Sequence, residues 1–562
     1  MHLRETCMKT IWAGLAAVAL LAATPALAQK QILFLAEDVP AGLDYDGPSV
    51  STNTSQTGFI NLSEPYIYYP YGPASSEGVR TLDYSKYEGR LVEKWEFDEK
   101  SLTWTFHLRK GVKSCAGNEF TADDVLYTFA RAKSVSGKAP IGWFLANLAS
   151  IDGFTRDVFK PGADKSVGDA VTKVDDYTVK IKQSVPNRLF QMVMTIYSTY
   201  PYDSKEMKKH ATEADPWTHD YVNTVNVPAF GAYCLERWVK DDEFVLKANP
   251  NYYRGKPDVE RIVIKKVPQS SNRTLALRGN SAQLTQRLTT REFNGLRNAN
   301  GVKVAGIYGN EILILGLNYK SPPFDNLKLR QAIAYAMPYQ QIATVGYAGS
   351  AQRMEGHFSR SLNAYVKPAT QYVTDIAKAK QLLAESGYPD GKGLEKFPDS
   401  FKLAFVAERE SFLGPIATVI QAALKDVGVP VQLDPLPQTQ MSDRRIVKKD
   451  LPMALSDQEK PVGPDVGYAT NLFFVTAASG GVNNFGNYSS AEVDRLFGEA
   501  KVEMDDARRL AILKQIQETL QNDLAWIPLV ETKTEWAFSN KLSGVTWHPE
   551  NSIHFIDLSL RP

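Results

Sequence analysis

The sequence predicts an α/β fold built from several units whose segments interleave along the chain. Three observations carry this. Residues 374–433 alternate helical and strand patterns, as a helix-covered sheet requires. Residues 312–317, ILILGL, form an unbroken apolar run that suits a strand buried on both faces. The chain has 562 residues, enough for about three or four domain-sized units, yet neither a repeat nor a long low-complexity linker separates them.

The elements follow in order. Residues 1–28 read as a targeting segment: Arg4 and Lys9 make a positive start, residues 11–23 are apolar but too short to span a bilayer, and Ala26-Leu27-Ala28 is a small-x-small cleavage site. Met8 is an alternative start. The cysteine of this segment, Cys7, lies upstream of the apolar core. A lipid anchor needs one just after it, so the expectation is a freely soluble exported chain beginning at Gln29. Residues 31–37 are a buried strand. Residues 91–107 alternate Trp95, Phe97, Leu102, Trp104 and Phe106 with polar residues about a turn at 98–101, a hairpin pattern. Thr121 caps a helix with Asp123 and Asp124 in its first turn. Residues 174–183 and 259–267 are strands, and a helix opens at Ser270.

After the apolar run, Pro322-Pro323 turn the chain, Asp325 and Asn326 offer caps, and Leu329, Ile333, Ala336 and Met337 share one helical face. Pro338 interrupts or restarts that helix. Residues 374–386 form a helix stopped by Gly387. Residues 401–407, 429–433 and 453–455 are strands, and residues 413–427 an amphipathic helix ending at Gly428.

Composition narrows the function. Removing residues 1–28 takes Arg4, Lys9 and Glu5 from totals of 64 basic and 63 acidic residues, leaving 62 of each. A neutral chain is not built for nucleic acid or an anionic membrane. Nine Trp, 26 Tyr and 25 Phe suit a large core and an aromatic-lined cleft. Cys115 and Cys234 remain after export; the compartment permits a bridge, and whether they meet is open. Neither sits in a Cys-x-x-Cys or Cys-His cluster. The sequence contains no GxSxG, HExxH or phosphate loop, so no catalytic residue is assigned. The histidines lack ligand spacing apart from His548 and His554, which read as surface or core residues, so no metal or cofactor is assigned either.

Residues 316–337, GLNYKSPPFDNLKLRQAIAYAM, resemble a signature of family 5 bacterial extracellular solute-binding proteins: strand end, double proline, Phe-Asp, Arg and an Ala-rich helix occur in order. Further likenesses run along the chain at residues 91–97, 105–113, 117–125, 231–253, 489–497 and 525–530. The resemblance implies a two-lobed periplasmic-binding-protein fold of the cluster C type with an extra domain on the first lobe. It implies lobe I at residues 29–69, 171–268 and 527–562, the extra domain at 70–170, and lobe II at 269–526, with crossovers near 266–270 and 526–531. It also implies a periplasmic receptor, monomeric, that closes on a peptide-like solute and hands it to the membrane permease of an ABC importer. The sequence departs from the family pattern where Tyr45 and Cys115-Ala116 stand.

Family ligand contacts cluster after a strand equivalent to residues 453–455. Asp457, Glu459 or Asp465 could supply the carboxylate for a peptide amino group, and Lys460 a cation for a ligand carboxylate. Asp38, Trp143 and the pair Asn483 and Asn484 complete the candidates. The family's tryptophan is absent from residues 451–468. That keeps an opine, oligosaccharide or glycoside cargo open beside a peptide, with nickel and a chemoreceptor-linked sensor as further alternatives.

Overall fold

The computed structural model describes residues 30–47, 53–134, 144–154, 167–479, 481 and 483–561. The targeting segment 1–28 and Trp143 lie outside them. Among the described residues no helix is long and apolar enough to cross a membrane.

One eleven-stranded sheet organises the molecule. Ten of its strands form a continuous path: β1 (Gln31–Ala36), β2 (Tyr233–Val239), β3 (Glu243–Ala248), β4 (Arg261–Lys266), β5 (Leu284–Gln286), β6 (Val302–Leu317), β7 (Lys402–Val406), β8 (Gln432–Leu436), β9 (Met453–Glu459) and β10 (Ile527–Ser539). Their spatial order is β2-β3-β4-β1-β5-β10-β6-β9-β7-β8. β1 is parallel to β4 and β5 at one end of the path, and β7 is parallel to β8 and β9 at the other. Each group belongs to a helix-covered half.

The two long strands β6 and β10 run antiparallel through both halves. Val302–Tyr308 pairs with Lys533–Ser539 on the first side and Ile312–Leu315 with Ile527–Glu531 on the second. Between these stretches Gly309, Asn310 and Glu311 face Thr532 alone, a bulge that breaks the ladder. The passage between halves therefore lies here and not near residues 266–270. Residues 270–301, expected beyond that crossover, instead supply β5 between β1 and β10, and pack Leu277, Phe293 and Leu296 on Val302 and Ala537.

The apolar run behaves as its composition requires: Leu313, Ile314, Leu315 and Leu317 are fully buried. The chain then turns through a cis Pro322-Pro323 bond. Asn326 caps helix Leu327–Ala336, its side chain accepting from the Lys328 and Leu329 N–H groups, and a second helix, Tyr339–Tyr347, restarts after Pro338. Asp375 caps Ile376–Glu385, and Gly387 stops it at φ +95°.

A separate four-stranded sheet holds Val92–Asp98, Thr103–Leu108, Thr178–Lys182 and Val171–Asp175 in that order. The single strand expected at 174–183 is thus a hairpin, because Asp175 Oδ1 accepts from the Tyr177 N–H at 2.8 Å and turns the chain. This sheet crosses the boundary expected at residue 170. Trp104 stacks on Phe190 at 4.7 Å beneath it. Asp124 Oδ2 accepts from the Thr121 N–H at the start of helix Ala122–Ala132. Cys115 and Cys234 are joined in a disulfide with Cα atoms 5.7 Å apart, tying the segment beside this sheet to β2.

Candidate functional site

The carboxyl ends of both parallel strand groups open onto one cavity of about 210 Å³. Glu37 follows β1, Arg287 follows β5, and Glu408 and Arg409 follow β7. Asp457 is within β9, Glu311 in the bulge of β6, and Lys533 and Glu535 on β10. Strand ends leave backbone and side chains free of the ladder, which is why open α/β sheets place ligands there. The bulge adds a reason specific to this chain, since an extra residue re-aims its neighbours' side chains.

The charges are arranged across the cavity. Arg409 places a guanidinium nitrogen 2.6 Å from Asp457 Oδ2. Burial pushes the Asp457 carboxyl above its ordinary pKa, with Arg409 pulling the other way. On the first half, Arg287 lies 3.5 Å from Glu37 and 3.9 Å from Glu311, looser than direct hydrogen bonds. Its φ of +56° is an unusual conformation for an arginine. Asn551 Nδ2 donates to Glu311 Oε2 at 3.3 Å. Acids and bases from both halves of the sheet thus face one small space. That arrangement suits a solute carrying charges of both signs.

Of the eight residues singled out from sequence, Asp457 lines this cavity. Residues 456–459, expected as a loop beyond the strand, continue β9, with Glu459 opposite Ile312. Glu459 is held by Arg445 and by Ser456 Oγ at 2.6 Å. Lys460 Nζ donates to the Glu550 carbonyl at 2.6 Å, and burial pulls its pKa down to about 7. Asp465 caps helix Val466–Phe473 and receives both guanidinium nitrogens of Arg509 at 2.7 and 3.0 Å. Asn484 holds its own loop, donating to the Tyr488 carbonyl at 2.6 Å and accepting from the Tyr488 N–H, while the Asn483 N–H donates to Leu472 O. Asp38 accepts from the Val39 N–H and pairs with Lys266 at 3.1 Å. Trp143 lies outside the described residues.

Sequence reasoning missed Arg409, Glu311, Arg287 and Lys533. One signal was present: Arg409 stands just beyond a strand followed by a helix, the same placement that drew attention to Asp457. Glu311 could not be found this way, because nothing in a polar residue before an apolar run announces a bulge.

The family described as Bacterial extracellular solute-binding proteins, family 5 Middle, matches residues 86–480. Among curated relatives, the probable D,D-dipeptide-binding periplasmic protein DdpA of Escherichia coli (strain K12) is 25% identical over 462 residues, covering 82% of each chain. Heme-binding protein A of Haemophilus influenzae is 26% identical over 504 residues, 87% of this chain and 88% of its own. Among solved structures, the periplasmic binding protein DppA of Helicobacter pylori, in complex with the peptide STSA, superposes with a TM-score of 0.79 at 23% identity, covering 95% of this chain and 98% of that one. AgaA from A.tumefacien R10, in complex with agropinic acid, gives 0.76 at 19% identity, covering 95% and 99%.

Proposed function

Because the chain belongs to the family 5 bacterial extracellular solute-binding proteins, we propose that it is a periplasmic receptor that captures a short peptide-like solute by lobe closure and delivers it to the permease of an ABC importer. The observation that carries this reading is the cavity into which both sheet halves direct charges of both signs: Arg287 and Glu311 from one side, Arg409 and Asp457 from the other. In this reading Asp457 receives the solute's ammonium group and an arginine its carboxylate, each a charge-assisted hydrogen bond. A solute that touches both halves binds the closed form better, and the population shifts by that differential affinity. No bond is made or broken.

Export with cleavage after Ala28 completes the proposal, on the pattern of residues 1–28. Lobe I then takes β1 to β5 with the first stretch of β6 and the last of β10, lobe II takes β7 to β9 with the remainder, and the hinge is the bulge at 309–311.

A second reading keeps the receptor and changes the cargo to an opine or another charged non-peptide solute. The absence of tryptophan from residues 451–468 favours it, and AgaA is a fold relative in complex with agropinic acid. A thermal-shift screen over dipeptides, longer peptides, opines and oligosaccharides separates the readings. A true ligand at a hundredfold its Kd stabilises the chain by about 2.7 kcal/mol. Asp457→Asn weakens a peptide ligand at least about tenfold, roughly 1.4 kcal/mol. A screen in which none of these classes stabilises the chain overturns the receptor reading.

A further inference from the structure

The C-terminal segment folds two histidines onto one another. Asn551 takes φ +57° and its N–H donates to the His548 carbonyl at 2.8 Å, closing a turn that asparagine tolerates well. The turn brings the rings of His548 and His554 face to face, centroids 3.4 Å apart and planes within 3°. Glu550 completes the group, its Oε1 lying 2.6 Å from His554 Nε2. Possible ligand atoms of His548, Glu550 and His554 all fall within 4.8 Å of one another. His548 and Glu550 are buried and His554 is partly so.

Around this cluster the chain supplies what an ion would need. Asp557 Oδ2 lies 3.1 Å from His548 Nε2, a carboxylate that fixes the ring and leaves Nδ1 as the ligating nitrogen. Nδ1 meets the Tyr68 hydroxyl at 3.0 Å. Both histidines line a cavity of about 30 Å³, room for a coordinated water, whose wall also carries Glu64, Tyr71, Arg90 and Arg254. The two cations there face other partners: Arg254 lies 3.8 Å from Glu64 and Arg90 2.7 Å from Glu88.

We propose that His548, Glu550 and His554 form a binding site for a borderline divalent cation such as Zn²⁺, distinct from the solute cavity. Two imidazoles and a carboxylate are a zinc donor set, and the cavity beside the two histidines offers the fourth position to water. Binding replaces the His554–Glu550 and Tyr68–His548 hydrogen bonds and tilts the rings from parallel, because each nitrogen lone pair lies in its own ring plane. None of the three side chains lines the solute cavity, so the ion is a resident of the fold and not its cargo.

The test is a Zn²⁺ titration of the purified, EDTA-treated chain, followed calorimetrically and by metal analysis after gel filtration. One equivalent is expected at micromolar concentrations. His548→Gln and His554→Gln are each expected to lower affinity by about tenfold to a hundredfold. His210→Gln, which alters the exposed His210–Glu206 pair, is expected to change nothing. Binding that survives in the His548→Gln, His554→Gln double variant, or is lost in His210→Gln, overturns the site, as does the absence of retained zinc. Should the double variant fail to fold, Co²⁺ added to the unaltered chain decides: a four-coordinate visible spectrum supports the site, and an unchanged aqueous spectrum overturns it. A failed cargo screen would leave all these outcomes unaffected.

Discussion

His357 shows how one buried group sets an acid limit on the fold. Its Nε2 accepts from the Trp526 N–H at 3.3 Å and its Nδ1 faces Gln521 Oε1 at 3.1 Å, so the neutral ring with hydrogen on Nδ1 satisfies both partners. The ring stacks over Trp526 and is 1% exposed. Burial pulls its pKa from 6.5 down to about 3. The unfolded chain takes up this proton near pH 6.5 and the folded chain only near 3, so between these values the unfolded state binds more protons. The stability His357 supports is therefore full above pH 6.5 and is lost as pH falls toward 3. Glutamine at this position can accept from Trp526 and donate to Gln521 without titrating. Chemical denaturation of His357→Gln at pH 7 and pH 4 is expected to show the acid loss reduced by about 3 kcal/mol relative to the parent chain. Equal losses in the two proteins would show that the ring is not held neutral.

At the scale of elements, local patterning was legible and non-local pairing was not. The apolar run at 312–317, the Asn326 cap and the hairpin about residues 98–101 stand where their patterns put them, because each is decided by neighbours a few residues away. Residues 174–183 misled because a single Asx turn at Asp175 outweighs the alternation on either side. The crossover was misplaced because β5, three residues long, carries too little pattern to announce that 284–286 returns to β1. In the site, Asp457 was reachable from the strand-end rule, whereas Arg287 and Glu311 depend on which strands become neighbours. The disulfide belongs to the same class, since its cysteines stand 119 residues apart. Closing a loop of that size removes much of the freedom of the unfolded chain. Cys115→Ser with Cys234→Ser is expected to cost about 3 to 5 kcal/mol in denaturant titrations, with reductant producing a similar loss in the parent chain. A cost below about 1 kcal/mol would show that β2 and the segment beside the four-stranded sheet hold together through packing alone.

Across the whole molecule, segments far apart in sequence meet outside the sheet. The Arg188 N–H donates to Lys501 O at 2.9 Å, and Asn363 Nδ2 donates to Tyr84 O at 3.2 Å. A close approach lies at Gly463, just beyond β9. A Cβ there would lie 2.6 Å from Met192 Sδ and 3.0 Å from Tyr468 Cγ. Met192 belongs to helix Phe190–Val193, in the chain segment that leads to β2. A larger side chain at Gly463 therefore acts as a wedge between the halves. In the proposed reading the bulge at 309–311 is the hinge about which they separate, since the β6–β10 ladder is interrupted there. Gly463→Leu is expected to favour the open form, so a solute identified by the screen should bind at least about tenfold more weakly, an opening cost of about 1.4 kcal/mol. X-ray scattering should then show a larger radius of gyration with solute at a concentration that saturates the parent chain. Since the wedge acts on the closed form, melting of the solute-free protein should change far less than affinity. Adding Met192→Ala removes the atom the wedge strikes and should restore part of the affinity. If Gly463→Leu binds solute as the parent does, or if the second substitution restores nothing, this contact does not govern closure.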